Sequence, residues 1–304
     1  LNQNCLIVIA GPTASGKTDL SIRLAQYFKT EIVSADSRQF YRELTIGTAK
    51  PSSEQLRLAK HHFINSLSIL DSYNASQYES DCIRLLDQLF LKFHNVILCG
   101  GSGMYIQAVL SGLDSLPPSD PDLRSNLNKK TTDELRDQLR IMDPEFYRNA
   151  DLKNRVRLIR ALEVCLITGK PFSTLRKKKP AVRNFNPLII GIETDRSILY
   201  QKINKRVSMM MQEGLLNEVR HLLNFKAHPI MQTLGYAELI QYLDGKISLT
   251  EAEDLIRKNT RNYAKRQLTW FRKMNGINWF RNDEIQRIIE FIKQSGSMKK
   301  QGDV

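Results

Sequence analysis

The sequence predicts an α/β protein built on a parallel sheet flanked by helices, with a helical insertion domain and a helical C-terminal part. Two observations carry this. The chain opens on an apolar run, Cys5-Leu6-Ile7-Val8-Ile9-Ala10, that passes directly into Gly11-Pro12-Thr13-Ala14-Ser15-Gly16-Lys17-Thr18. Further short β-branched runs then alternate with stretches of helical periodicity, the pattern of a parallel sheet covered on both faces.

The first run reads as a buried strand, and Leu20, Leu24, Tyr27 and Phe28 follow the loop at helical spacing. A glycine-rich turn between strand and helix is the setting of a phosphate-binding loop. Its glycines let the backbone fold around an oxyanion with successive N–H groups pointing inward. Lys17 adds a mobile positive charge, and Thr18 offers a hydroxyl to Mg2+. The core is therefore P-loop NTPase-like, with Gly11, Pro12, Thr13, Ala14, Ser15, Gly16, Lys17 and Thr18 as phosphate-binding residues and Thr18 as the metal ligand.

The next runs are Glu31-Ile32-Val33-Ser34, Val96-Ile97-Leu98-Cys99 and Leu188-Ile189-Ile190-Gly191-Ile192. In open parallel sheets ligands gather at the carboxyl ends of the strands, so the residues after each run become site candidates. After the second run stand Asp36, Ser37, Arg38 and Gln39. Asp36 is a candidate general base, with helix capping or a structural ion pair as its ordinary alternative. Arg38 and Gln39 offer donors and acceptors suited to a base edge or a phosphate. The third run leads into Gly100-Gly101-Ser102-Gly103-Met104-Tyr105, a turn that packing alone could require.

From Asp114 to about Phe185 such runs are missing, and Pro117-Pro118-Ser119-Asp120-Pro121 opens the interval. Amphipathic helices are expected around Leu135 to Met142 and Arg155 to Thr168. This places a P-loop core domain at 1–113 and 186–304 and a helical insertion at 114–185. The basic run Arg176-Lys177-Lys178-Lys179 before Pro180 reads as a solvated linker or a nucleic-acid contact. Beyond the last run the chain reads as almost wholly helical. Thr250-Glu251-Ala252-Glu253 has the spacing of a capping box opening a long helix. Cations crowd that helix from Arg257 to Lys273, with Ile256, Tyr263, Trp270 and Met274 placed as a buried stripe. Ser295 to Val304 reads as a disordered tail.

Lys and Arg number 45 against 32 Asp and Glu, a formal charge of +13, which favours a polyanionic partner over a small metabolite alone. Cys5, Cys82, Cys99 and Cys165 are far apart, form no C-x-x-C pair and read as reduced core residues. The five histidines lack metal-ligand spacing, and no zinc site is expected. No apolar span reaches membrane length, so a cytoplasmic protein without membrane contact is expected, acting as a monomer.

Taken together, the motifs resemble those of the bacterial tRNA dimethylallyltransferases, also called tRNA isopentenyltransferases. The resemblance runs through the phosphate loop, Asp36-Ser37-Arg38-Gln39 with Tyr41, Gly47-Thr48-Ala49-Lys50-Pro51, and Gly100 to Tyr105. It continues through Arg157 with Arg160-Ala161-Leu162-Glu163-Val164, Gly214-Leu215 with Glu218-Val219, Leu234-Gly235-Tyr236, and Ala264-Lys265-Arg266-Gln267 with Thr269-Trp270. Two positions depart from the family pattern: Ser102 replaces a usual threonine and keeps the hydroxyl, and Lys153-Asn154 replaces a common Asn-Asp pair. The zinc finger that eukaryotic relatives append is not expected here, since the cysteines and histidines of this sequence lack its spacing.

The resemblance implies transfer of a dimethylallyl group from its diphosphate to N6 of the adenosine 3′-adjacent to the anticodon, tRNA position 37. The phosphate loop would then hold a diphosphate leaving group, with Lys17 and Thr18 catalytic and Arg220 a further diphosphate contact. Asp36 would accept the N6 proton. The tRNA anticodon stem-loop would be contacted by Asp36, Ser37, Arg38, Gln39, Ser102 and Arg124, by Val156, Arg157, Leu158, Ile159 and Arg160, and by Lys265 and Arg266, with the insertion gripping the RNA. Two other readings share parts of the pattern. A P-loop small-molecule kinase explains the loop and leaves the basic helix without a purpose. A non-catalytic RNA-binding module leaves Lys17, Thr18 and Asp36 without one.

Overall fold

The computed structural model describes residues 4–176 and 180–298. In chain order the elements begin with β1 (Cys5–Ala10), α1 (Lys17–Phe28), β2 (Ile32–Ser34), α2 (Ser53–Leu58), β3 (His61–His62), α3 (Ala75–Phe90), β4 (Asn95–Gly100) and α4 (Gly103–Ser111). Five helices follow: α5 (Pro121–Lys129), α6 (Thr132–Met142), α7 (Pro144–Asn149), α8 (Arg155–Thr168) and α9 (Phe172–Leu175). The chain returns through β5 (Asn186–Glu193), α10 (Arg196–Gln212), α11 (Leu215–His221), two short 3-10 turns, α12 (Tyr236–Leu243), α13 (Leu249–Phe271), β6 (Ile277–Arg281) and α14 (Ile285–Met298). No helix among the described residues is long and apolar enough to cross a membrane.

The sheet order is β3-β2-β4-β1-β5-β6, with every pair parallel. The central position of β1 follows from its sequence, because a strand covered on both faces must be apolar on both. Leu6, Val8 and Ala10 join Val96, Leu98, Leu86 and Phe271 on one side of the sheet. Ile7 and Ile9 join Ile97, Ile190, Leu24 and Ile288 on the other. The phosphate loop, the turn holding Asp36 and the turn holding Ser102 thus leave the carboxyl ends of β1, β2 and β4. Strand β4 lies between β1 and β2.

Two strands escaped the sequence reading. β6 carries Ile277, Asn278, Trp279, Phe280 and Arg281, an edge strand whose alternation with polar residues hides it from a search for continuous apolar runs. It pairs with β5 so that Trp279 faces Gly191, where a side chain would collide with the indole. β3 is only His61–His62. Helix α13 starts two residues earlier than expected, since Ser248 accepts from Glu251 N and Glu251 closes the capping box. Helix α14 reaches Met298, so the first part of the expected disordered tail is helical; the remainder, and Lys177 to Lys179 of the basic run, lie outside the described residues. Tyr27, placed with the apolar residues of α1 by spacing, is half exposed.

The chain separates into two compact units, one comprising the chain to Leu110 and from Arg183 onward, the other Ser111–Val182. The second has its own core of Leu127, Leu135, Leu139, Phe146, Leu158 and Leu162. Within it Glu163 is fully buried and meets Arg124 at 2.7 Å and Arg160 at 2.6 Å. Burial alone would raise the Glu163 pKa; hydrogen bonds from the two guanidiniums outweigh it and hold the carboxyl below its ordinary value. Glu163→Ala should destabilise this unit by about 2–3 kcal/mol, the low end for losing a buried pair because both guanidiniums are partly exposed. Denaturant unfolding followed by amide exchange in 111–182 measures it, and a loss within experimental error would make the cluster merely a surface pair.

Candidate active site

The phosphate loop is closed by backbone conformations that its sequence anticipates. Gly16 has φ 89° and packs so tightly on Asn282 that a Cβ would lie 2.5 Å from its Nδ2. Two independent constraints therefore require glycine there. Ser15 is fully buried, and its Oγ has no hydrogen-bond partner among the described residues. Lys17 Nζ folds back to donate to Pro12 O at 2.6 Å. Burial is the largest influence on this ammonium and lowers its pKa to about 8, with the neighbouring Arg206 pushing the same way.

Arg206 is a site residue that sequence reasoning missed. It lies on α10, whose inner face is marked by Leu199, Ile203 and Val207, and its Nη1 donates to Thr13 Oγ1 at 3.2 Å. Burial lowers its pKa from the ordinary guanidinium value. A cation inside an apolar stripe was the available signal. Arg220, expected at the diphosphate, is exposed on α11 with its Nη1 on Asn217 Oδ1 at 3.1 Å.

Gln267 of α13 joins the loop to the rest of the site. Its Oε1 accepts from Thr13 N and its Nε2 donates to Gly101 O, each at 2.8 Å. A side chain on Gly101 would displace this amide. On the turn beyond, Ser102 Oγ accepts from Ser37 N at 3.1 Å and lies 3.3 Å from Ser37 Oγ. The glycine-rich turn thus has a packing reason for a glycine and a polar reason for Ser102.

Asp36 stands beside Ser37 and is held by backbone N–H groups of Arg38, at 3.0 Å, and Gln39. Burial raises its pKa above the ordinary carboxylate value, opposed by those N–H groups and by the charges of Lys17 and Arg38. The Asp36 carboxylate and the Lys17 ammonium therefore sense one another despite the intervening strand. Tyr263 closes this region; burial and the Asp36 charge push its phenol up to about 12, so it stays protonated at neutral pH.

Gln39 donates to Thr48 O and Ala49 O, both at 3.2 Å. The 45–47 backbone is fixed in turn by Glu218, whose carboxylate accepts from Thr45 N, Ile46 N and Gly47 N at 2.8–3.1 Å and from the Tyr236 hydroxyl. Gly47 is glycine because the Tyr236 ring occupies the place of a side chain. Three motifs far apart in sequence thus form one scaffold behind Gln39.

In the 111–182 unit, Leu158 and Ile159 face the hydrophobic core, which removes their side chains from the expected RNA surface. Val156 and Arg157 are exposed, and Arg157 stacks over Phe146 at 5.6 Å. Arg124 and Arg160 are engaged with Glu163 as described. Asn154 caps α8 by accepting from Arg157 N, a role the aspartate of the family pair fills equally well. On α13, Lys265 and Arg266 are exposed.

Fold and site together define an α/β protein with a phosphate-binding loop at the carboxyl edge of a parallel sheet. Residues 39–274 match the family described as IPP transferase, and the chain belongs to that family. It is 48% identical over 295 residues to the tRNA dimethylallyltransferase of Christiangramia forsetii, covering 95% of this chain and 98% of the relative. It is 47% identical to that of Flavobacterium johnsoniae, covering 95% and 99%. Among solved structures, the full-length tRNA isopentenylpyrophosphate transferase from Bacillus halodurans superposes with TM-score 0.74 at 34% identity, covering 98% and 99%. A eukaryotic dimethylallyltransferase acting on tRNA gives TM-score 0.82 at 25% identity, covering 96% of this chain and 80% of that one.

The lowered Lys17 pKa sets a pH dependence. In the free protein the ammonium loses its proton as pH rises through about 8, so diphosphate affinity should fall across that range. Lys17→Arg should flatten the fall, because a guanidinium keeps its charge. Calorimetric titration with inorganic diphosphate from pH 6.5 to 9.5 tests this. A wild-type affinity independent of pH would place the anion away from Lys17.

Proposed function

We propose that this protein transfers the dimethylallyl group of dimethylallyl diphosphate to the exocyclic N6 of the adenosine 3′-adjacent to the anticodon of tRNA. The observation that carries the reading is that a partly buried carboxylate, Asp36, follows β2 at the same carboxyl edge of the sheet where the phosphate loop with Lys17 follows β1. Kinship with proteins named tRNA dimethylallyltransferase over nearly the whole chain supports it over a small-molecule kinase.

In this reading the loop N–H groups, the Lys17 ammonium and the Arg206 guanidinium bind the diphosphate, and the unpartnered Ser15 hydroxyl donates to one of its oxygens. As the allylic C–O bond breaks, negative charge grows on the diphosphate, and donors already in place stabilise it without rearranging. The N6 lone pair forms the new C–N bond while Asp36 takes the N6 proton. The products are inorganic diphosphate and N6-dimethylallyladenosine. Ser102 and Ser37 orient the acceptor beside that carboxylate.

The donor set also fits Mg2+, which takes few protein ligands and completes its shell with phosphate oxygens and water. Among the described residues no cluster of three or more His, Cys, Asp or Glu side chains offers an all-protein site. The Thr18 hydroxyl would hold the ion, which supplies charge neutralisation at the leaving diphosphate when bound.

The acceptor base must leave its stack to reach Asp36. Arg38, Lys265 and Arg266, with Val156 and Arg157 on the 111–182 unit, supply the RNA contacts that compensate. The protein works in the cytoplasm as a monomer.

Incubation with dimethylallyl diphosphate, Mg2+ and unmodified tRNA, followed by nucleoside mass spectrometry, should yield a prenylated adenosine. ATP consumption without that product would reverse the assignment. Asp36→Ala should lower kcat by roughly 10²- to 10⁴-fold, the range for loss of a general base. Its kcat/KM in wild type should rise with pH through a value above that of an ordinary carboxyl, since the ionised form is the active one. Undiminished turnover in the variant would remove Asp36 as the base.

A further inference from the structure

Helix α13 divides its cations into two groups. In its first half Arg257 pairs with Glu253 at 2.9 Å and Asp254 at 2.8 Å, and Arg261 donates to Asn204 Oδ1 at 2.7 Å. In its second half and just beyond, Lys265, Arg266 and Lys273 are exposed, and none of their side chains meets a carboxylate among the described residues. These three, with Thr269, surround Trp270 in a shallow groove of about 270 Å³. Helical spacing alone places Trp270 in the buried stripe of this helix. Instead Trp270 is 47% exposed, in a surface otherwise lined by three cations and Thr269.

The position of the indole connects this groove to the reaction centre. Its pyrrole edge lies so close over Gly103 that a side chain there would overlap Cδ1 and Nε1. Gly103 directly follows Ser102, whose hydroxyl meets Ser37 beside Asp36. One turn back on the same helix face, Gln267 holds Gly101 and the phosphate loop. The groove is therefore an outward continuation of the acceptor side of the site.

Resting on the RNA-modifying reading above, we infer that Trp270, flanked by Lys265, Arg266 and Lys273, is a stacking platform for an unpaired nucleotide adjacent to the target adenosine. Extruding one base leaves its neighbours without a stacking partner. An exposed indole replaces that partner irrespective of base identity, and flanking cations meet the phosphates on either side. An acidic polypeptide would use the cations and leave the flat indole face without a match, so unpaired RNA fits the groove better.

A mutant cycle between protein and RNA tests this. Affinities of the full-length protein, Trp270→Ala and Trp270→Phe are measured for an unmodified anticodon stem-loop RNA and for versions with a single abasic site at each loop position. Trp270→Ala should weaken binding of the intact RNA about tenfold, and Trp270→Phe should recover most of that loss. One abasic RNA next to the target should lose a similar factor with wild type and nothing further with Trp270→Ala. Additive losses at every abasic position, unchanged affinity in Trp270→Ala, or selective loss of binding to a polyglutamate probe would overturn the platform. Product formation by wild type with dimethylallyl diphosphate, run in parallel, separates the two readings: prenylated RNA without coupling removes only the platform.

Discussion

The side-chain amide of Gln267 is the contact on which the site's geometry depends. It is buried, and it bonds the phosphate loop at Thr13 N with one end and the β4 turn at Gly101 O with the other. Both partners are backbone groups that would otherwise be buried without compensation, and losing such a bond costs more than making it gains. The bond also sets the spacing between the loop that grips an anion and the turn that carries Ser102. An apolar residue of similar volume could fill the space, yet it could not fix two backbone segments at once. The long helix α13 thus acts as a brace across the carboxyl edge of the sheet.

The second structural constraint is Glu218, which gathers three backbone N–H groups of 45–47 and the Tyr236 hydroxyl on one carboxylate. Charge-assisted bonds of this kind are stronger than neutral ones. The result is a rigid floor under Gln39, whose amide is committed to Thr48 O and Ala49 O. Gln39 therefore shapes the turn after β2, while Arg38, whose guanidinium has no hydrogen-bond partner among the described residues, remains available to a ligand. Motif membership alone could not separate these two neighbours.

The legible parts of the sequence were those whose physics is local. An apolar run ending at a glycine loop carries its own strand, turn and helix start, so β1, the loop and α1 were readable with Lys17 and Thr18 in place. Asp36 and Ser102 were readable as residues at strand ends. What required three dimensions was convergence. Arg206 and Gln267 reach the loop from helices far along the chain, and nothing in their own neighbourhoods names the loop as their destination. Leu158 and Ile159 show the reverse: the resemblance carries the whole 156–160 segment to the RNA, whereas helical rotation turns these two side chains into the core. Trp270 fell on the apolar stripe by spacing, yet the buried positions around it are Gln267, Phe271 and Met274, while Trp270 lies with its pyrrole edge over Gly103 and stays half exposed.

The distribution of charge says more than its sum. A net +13 would suit any polyanion, yet many of the cations are neutralised within the fold: Arg183 on Glu79, Arg124 and Arg160 on Glu163, Arg257 on Glu253 and Asp254. Among the cations without an ion pair, two sets differ in their physics. Lys17 and Arg206 are partly buried, so salt screens them less than it screens exposed cations, and in the proposed reading they would hold the diphosphate at short range. Lys265, Arg266 and Lys273 are exposed, so their attraction for RNA phosphates is long-ranged and falls steeply as counterions compete. In the proposed reading a small donor would be selected by partly buried geometry and a large acceptor by surface field. The two demands coexist on one sheet edge because α13 presents Gln267 inward and Trp270 outward from successive turns of the same helix.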